Sequence, residues 1–396
     1  MNGRLSQMDI AIVKHTYTPT GGAEQELLRY VLPKAKSVTY ISHPFRDARD
    51  VPLNTQISMF ENGELRKEIS APLFRGPFPL MAMKDIIFTV WYLKKMRRRI
   101  HLYFGVDNLN AFSGIVLRRL GVVDRVVYYV IDYAPDRFRR PFMQSLYRRL
   151  DRWCCYDADA VWNVSAAMED ARKAHGFDSG RSAPQIEVPL GNWYDESPKT
   201  SPNGSDNGLI VFLGTLAREQ GLNLVIEALP KIRKRIPNAR LRVIGSGPEM
   251  EPLKSLAHEM RVADSVEFLG FIQDGAKAAA LLAEGAVAVA PYLYGDNIFK
   301  RFADPGKVKL YLAAGLPVVI SRVPPVAELI ERSGAGIAVE PAVNEIGSAL
   351  ENLLLSPGKI SAMRENALEL GKKFDWIGIF DRAFGRTFEC WVVQNN

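Results

Sequence analysis

Between residues 209 and 340 the chain repeats one pattern: a short apolar run, a glycine or proline break, then a stretch of helical period. "LIVFLG" (209–214) leads to "LNLVIEALPKIRKRI", and "ARLRVIG" (239–245) leads to "MEPLKSLAHEM". "SVEFLG", "AVAVAPY" and "PVVIS" add three more apolar runs with turn residues around them. Strands that are apolar throughout are covered on both faces, and helices between them force crossover connections. The pattern therefore predicts a parallel sheet wound from βαβ units. In such sheets ligands sit beyond the carboxyl ends of the strands. Gly214, Gly245, Gly247, Gly270 and Gly315 fall at those ends, where a backbone without side chains lets a ligand come close.

The first half repeats the theme more loosely. "DIAIVK" (9–14), "VVYYVI" (126–131) and "DAVWNVS" (159–165) read as strands, and "TYTPTGGAEQELLRYVL" as a glycine loop entering a helix. Each half is thus expected to be a doubly wound α/β domain, with ligands at the cleft between them. The Ser/Pro/Asn/Gly cluster "SPKTSPNGSDNG" (197–208) is the best linker, which gives domains at 1–200 and 201–380 and a final segment at 381–396. Charge divides there too. Residues 1–195 carry 28 Lys and Arg against 21 Asp and Glu, whereas residues 196–396 carry 23 of each. An anionic partner for the first half follows, whether phosphate, lipid surface or nucleic acid.

Nucleic acid is the least favoured of the three, because no helix-turn-helix, finger or RNA-binding signature is present. Cys154, Cys155 and Cys390 have neither metal-ligand spacing nor a disulfide framework, so a reducing compartment is expected. No leader-like or spanning apolar run is found, so the expectation is a cytoplasmic protein. Two segments, 78–104 and 137–156, combine bulky apolar residues with arginines. Each reads either as a core helix with a basic edge or as a helix lying on an anionic membrane, and the concentrated charge favours peripheral membrane contact.

The stretch "FADPGKVKLYLAAGLPVV" (302–319) places Lys307 in an Asp-Pro-Gly-Lys turn at the start of a short helix. A lysine beside the positive end of a helix makes an anion site, and phosphate is the expected guest.

Taken in order, "FLGTLAREQGLNLVIEALPKI", "ARLRVIGSGPEMEPLKSLA", "VEFLGFI", "KVKLYLAAGLPVVIS" and "VAELIERSGAGIAVE" resemble the donor-binding domain of family 4 glycosyltransferases over about residues 208–385. "TYTPTGGAEQELL" resembles that family's N-terminal glycine loop, and "FDWIGIFDRAF" its closing helix, which crosses back to the first domain. The resemblance implies the GT-B fold: two Rossmann-like domains facing across a cleft, the second holding a nucleotide diphosphate sugar and the first a glycan or lipid-linked acceptor. It also implies transfer with retention and without a metal or other cofactor. Where the family carries arginine and lysine for the donor diphosphate, this chain has Thr215 and Gln220, so the grip is moved, with Arg218 as one substitute. Where many members carry paired glutamates it has Phe302 and Leu310, an atypical feature. A subset has a Pro-x-Lys turn instead, which Pro305-Gly306-Lys307 fits, and this assigns Lys307 to the diphosphate.

The resemblance carries over further donor contacts, each with a plainer reading beside it. Asp304 binds hydroxyls or caps the helix, Gly245 and Gly247 approach the nucleoside or merely turn the chain, and Phe271 packs the base or the core. Glu328 lies near sugar or phosphate or simply opens a helix. In the first half Gly21 and Gly22 face the donor, and Asp132, ending the strand in "YYVIDY", is the candidate to orient or deprotonate the acceptor hydroxyl, or else a turn residue. Asp107 is a second strand-end carboxylate, and His15 the histidine nearest the expected cleft. Two rival functions remain at this stage: a non-catalytic relative that binds or scaffolds, and an epimerase acting on the sugar nucleotide.

Overall fold

A computed structural model describes residues 2–17, 22–45, 51–74, 76–133, 135–138, 140–200, 207–294 and 304–394. Two compact units divide the chain: Met1–Pro189 together with Ile379–Asn396, and Leu190–Gly378.

The first unit is built on an eight-stranded sheet in the order β4-β3-β2-β1-β5-β6-β7-β8. Its strands are β1 (Asp9–Thr16), β2 (Ser37–Pro44), β3 (Gln56–Glu61), β4 (Glu64–Ser70), β5 (Ile100–Val106), β6 (Val123–Val130), β7 (Ala160–Asn163) and β8 (Gln185–Glu187). From β2 to β8 through β1 the pairs are parallel, and the β3–β4 hairpin joins β2 antiparallel. Ile10–Val13 of β1 are fully buried, as a central parallel strand requires. The chain leaves β1 for β2 on one side and returns to β5 on the other, so strand order reverses between β1 and β5, and their carboxyl ends flank a crevice.

The helix Trp376–Gln394 completes this unit's core. Its Phe380 and Phe384 pack on Tyr30, Phe104 and Trp162, Trp162 Nε1 donates to Thr387 Oγ1 at 2.9 Å, and Trp391 Nε1 donates to the Asp159 carbonyl at 2.8 Å.

The second unit has six parallel strands in the order β11-β10-β9-β12-β13-β14. They are β9 (Leu209–Leu213), β10 (Arg240–Ile244), β11 (Val266–Gly270), β12 (Val287–Ala290), β13 (Val318–Ser321) and β14 (Gly336–Val339). The helices Leu222–Arg235 and Val343–Leu354 bury Val225, Leu229 and Leu350 against Ile210, Leu241 and Val289. Here the order reverses between β9 and β12.

The division between units falls at Pro189, not at residue 200. Residues 190–200 are bound into the second unit: the Asn192 amide donates to the Phe374 carbonyl at 2.9 Å and the Thr200 amide to the Ala314 carbonyl at 2.8 Å. Residues 197–200 and 207–208 of the Ser/Pro/Asn/Gly cluster thus belong to the second unit, and 201–206 lie outside the described residues. The loop composition marks where the chain turns, while the unit boundary is set by which backbone groups the preceding segment satisfies.

Candidate active site

At the reversal in the second unit, β9 ends on Gly214, whose φ of 141° is a conformation side chains rarely adopt. Gly245, ending β10 with φ 143°, lies so close that a Cβ there would stand 1.9 Å from the Gly214 carbonyl oxygen. These two positions need glycine on backbone grounds alone.

The helix Gly306–Ala313 begins after Pro305 and sends Lys307 back over this point. Lys307 Nζ donates to Gln220 Oε1 at 2.7 Å and lies 3.9 Å from the centre of the Phe212 ring and 5.2 Å from that of Tyr292. A Cβ on Gly214 would be 2.9 Å from the ammonium, so the cation sits directly at the end of β9. Tyr311, from the same helix, bridges β9 and β12: its hydroxyl accepts the Leu213 amide at 2.9 Å and donates to the Val289 carbonyl at 3.3 Å. Gln220, where the resemblance would have a lysine, has become the seat of one.

Asp304 is used differently. Its carboxylate forms an ion pair with Lys309, which is 1% exposed, and its second oxygen accepts the Leu190 amide at 2.7 Å. It is not the cap of the helix, whose N-cap is Pro305. The geometry makes Asp304 the counter-charge of a buried lysine that also lies 4.2 Å from the Phe374 ring centre, and this explains how the helix holds two lysines without an acid of its own.

Thr215 and Arg218 are exposed on the loop from β9 to Gly221. Gly247 packs on Leu216, with room for no side chain. Phe271 is exposed past the end of the edge strand β11. Glu328 is exposed in the first turn of Val326–Arg332, 3.6 Å from Arg332. Gly21 lies outside the described residues. Gly22 is the N-cap of the helix Ala23–Val31, where a Cβ would collide with the Glu24 carboxylate that pairs with buried Lys14.

In the first unit a cavity of about 110 Å³ opens at the β1/β5 reversal, lined among others by His15, Asp107, Tyr128, Asp132, Arg137 and Tyr147. Asp107 follows β5 directly and starts the helix Asp107–Arg119 with φ 64°, left-handed backbone that is costly for a residue with a Cβ. Burial pushes its carboxyl up to about 7, against the attraction of Arg137. Asp132 sits at the exposed rim, its carboxylate 3.9 Å from the Arg137 guanidinium, which also donates to the Asp132 carbonyl at 3.0 Å. Both strand-end carboxylates therefore share one cavity, and the deeper is Asp107.

His15 is oriented from behind. Asn110 Nδ2 donates to the Val106 carbonyl at 2.7 Å and to His15 Nδ1 at 3.0 Å, which leaves the ring proton on Nε2, 3.3 Å from Asp85. Asp85 stays ionised because, although burial raises its pKa, hydrogen bonds from His15 and His43 hold it well below the usual carboxylate range. His43 itself is pushed down to about 4, chiefly by burial. Sequence reading missed Arg137 and Asp85, and took Gln220 only as the place of a lost lysine. Only Gln220 had a local signal, its place between a strand-end glycine and a helix-start glycine. Among the described residues no cluster of His, Cys, Asp and Glu is arranged to hold a metal, and no helix is long and apolar enough to cross a membrane.

Residues 207–356 match the family described as glycosyl transferases group 1. An uncharacterized glycosyltransferase of Methanocaldococcus jannaschii is 33% identical over 177 residues, 44% of this chain and 43% of that protein. A GDP-mannose-dependent alpha-(1-6)-phosphatidylinositol monomannoside mannosyltransferase of Mycobacterium tuberculosis is 26% identical over 252 residues, 63% of this chain and 57% of that one. The chain thus spans about half the length of these curated relatives. In fold it is similar to Anabaena HepE, solved with UDP and glucose, at a TM-score of 0.70 and 17% identity over 97% of this chain and 100% of that one. The fold is thus the GT-B fold, two Rossmann-like units, and the match to glycosyl transferases group 1 falls within the second unit.

Proposed function

We propose that this chain transfers a sugar from a nucleotide diphosphate sugar to a hydroxyl of a glycan or lipid-linked acceptor, with retention at the anomeric carbon. One observation carries the reading. Lys307 is seated on neutral Gln220 and two aromatic rings, over a strand end cleared by Gly214 and Gly245. A lysine ammonium above a strand end cleared of side chains is the chemistry that meets an incoming anion, and the adjoining helix start adds its partial positive charge. As the anomeric bond breaks, negative charge grows on the leaving diphosphate, and Lys307 stabilises it without reorganising. Arg218, exposed on the loop after β9, adds a second contact to the diphosphate. Asp304 serves by fixing this helix through Lys309, not by binding hydroxyls.

In the first unit, Asp107 and Asp132 at the cavity orient the acceptor hydroxyl, and Asp107, poised near neutrality, takes its proton. The mannosyltransferase relative, which acts on a phosphatidylinositol monomannoside, favours an amphipathic acceptor. Such an acceptor brings the chain to the cytoplasmic face of a membrane.

Calorimetric titration with UDP, GDP, ADP and their sugars tests the reading. Saturable binding of one family of nucleotides by the wild type, weakened by Lys307→Ala, supports it. No binding across the panel refutes it and restores the scaffold, and donor turnover without acceptor restores the epimerase.

A further inference from the structure

The helix Phe78–Lys95 has its polarity reversed. Its inward stripe is Met81, Asp85, Thr89 and Leu93, all buried, with Asp85 bonded to His15 and Thr89 Oγ1 2.8 Å from His43 Nε2. Its outward stripe, at the same helical spacing, is Leu80, Met83, Ile87 and Trp91, between 47% and 59% exposed. A surface helix normally turns polar residues outward. With Phe74 and Phe88 these four side chains line an open groove of about 400 Å³. A contiguous exposed apolar patch of this kind marks an interaction surface.

Charge selects what covers it. The outward stripe contains no acid, because Asp85 points inward, and it ends in exposed Lys94 and Lys95, with Lys95 Nζ 4.7 Å from the centre of the Trp91 ring. Tryptophan beside lysine, on a helix lying flat, is the chemistry of the headgroup level of a bilayer. The patch also continues. Phe78, in the first turn of this helix, shares the Asp107 cavity with Met143 and Leu146 of the helix Pro141–Asp157, where Phe142 is 76% exposed and Arg149 lies one turn beyond Leu146. A second copy of the chain docked here would bring its own lysines against these, which an anionic surface does not.

We propose that the outward face of Phe78–Lys95, continued by Phe142 and Leu146, docks on an anionic lipid bilayer and so sets the mouth of the Asp107 cavity at the lipid surface. The docking stands independently of the glycosyl-transfer reading. The delivery of a lipid-linked acceptor into that cavity rests on it.

The full-length chain is to be sedimented with phosphatidylcholine vesicles, with and without phosphatidylglycerol. Binding is expected only when the anionic lipid is present. The Ile87→Glu/Trp91→Glu variant is expected to lose about 100-fold in partition, having exchanged two buried apolar groups for two repelled charges. Brominated lipid should quench wild-type tryptophan fluorescence, and Trp91→Phe, which keeps the apolar face, should remove most of that quenching while retaining binding. This second variant keeps the proposal testable if the double variant does not fold. Equal binding to neutral vesicles, quenching unchanged by Trp91→Phe, or self-association of the wild type abolished by the double variant would each overturn it. Nucleotide titration of the same samples separates the two readings: vesicle binding without nucleotide binding removes the proposed function and leaves the docking surface.

Discussion

Replacing Lys307 with methionine tests the donor site with little risk to the fold. The thioether keeps an apolar contact with Phe212 and Tyr292 but removes both the charge and the hydrogen bond to Gln220, whose buried amide oxygen loses a donor. Stability should therefore fall by about 1–3 kcal/mol, the cost of a buried acceptor left without its donor. For a bound diphosphate the loss is larger. A hydrogen bond to a charged group contributes about 1.5–3 kcal/mol, and a ceiling of about 4 kcal/mol applies to unit charges about 4 Å apart near a protein surface. Calorimetry should then show nucleoside diphosphate binding weakened roughly 10- to 150-fold, with much less effect on the nucleoside alone. Geometry supplies a rescue. Because Gln220 Oε1 lies 2.7 Å from the ammonium, a lysine at 220 reaches the same point, and Lys307→Met/Gln220→Lys should recover most of the affinity. Diphosphate affinity within about twofold of wild type in a folded Lys307→Met protein would refute the assignment of Lys307.

Two further outcomes are expected. Asp304→Ala leaves Lys309 charged and buried without its partner, so urea denaturation should show a loss of about 3–5 kcal/mol, while Asp304→Asn/Lys309→Met should recover much of it. Asp107 has a raised pKa, about 7 when folded against an ordinary 3.8, so the folded state holds its proton where the unfolded chain has lost it. Stability must then fall as pH rises between those values, Asp107→Asn should flatten that slope in melts across the range, and acceptor turnover should rise through about 7 in the wild type only.

The second unit was legible because its inner strands β9, β10, β12 and β13 are buried on both faces and turn residues follow most of them, so periodicity and glycine agree. Gly214 and Gly245 were legible as strand-end glycines, expected there for the approach of a ligand, whereas the structure requires them for their positive φ and their mutual backbone contact. Asp304 was not, since its partner Lys309 lies five positions on in a helix, and sequence does not say whether a carboxylate near a helix start meets ligand, cap or lysine. The Phe78–Lys95 helix shows the same limit: apolar residues occur all round it, so periodicity could not tell that Asp85 and Thr89 face inward and Trp91 outward. The β3–β4 hairpin had its signal in Asn62-Gly63, both at positive φ, a turn pair that the search for βαβ units passed over. Arg137 and His15 matter through neighbours brought together by the winding of the sheet, which no local window contains.

The helix that supplies Phe380 and Phe384 is made only after nearly all of Leu190–Gly378. At about 5–20 residues per second, the 207 residues after Pro189 take roughly 10–40 s to synthesise, and through that interval Tyr30, Phe104 and Trp162 have no lid. Leu190–Gly378 is complete before its neighbour is. Although Met1–Pro189 leaves the ribosome first, its unit closes only after Leu190–Gly378 has been made, so its aromatic core is exposed to chaperones throughout that interval.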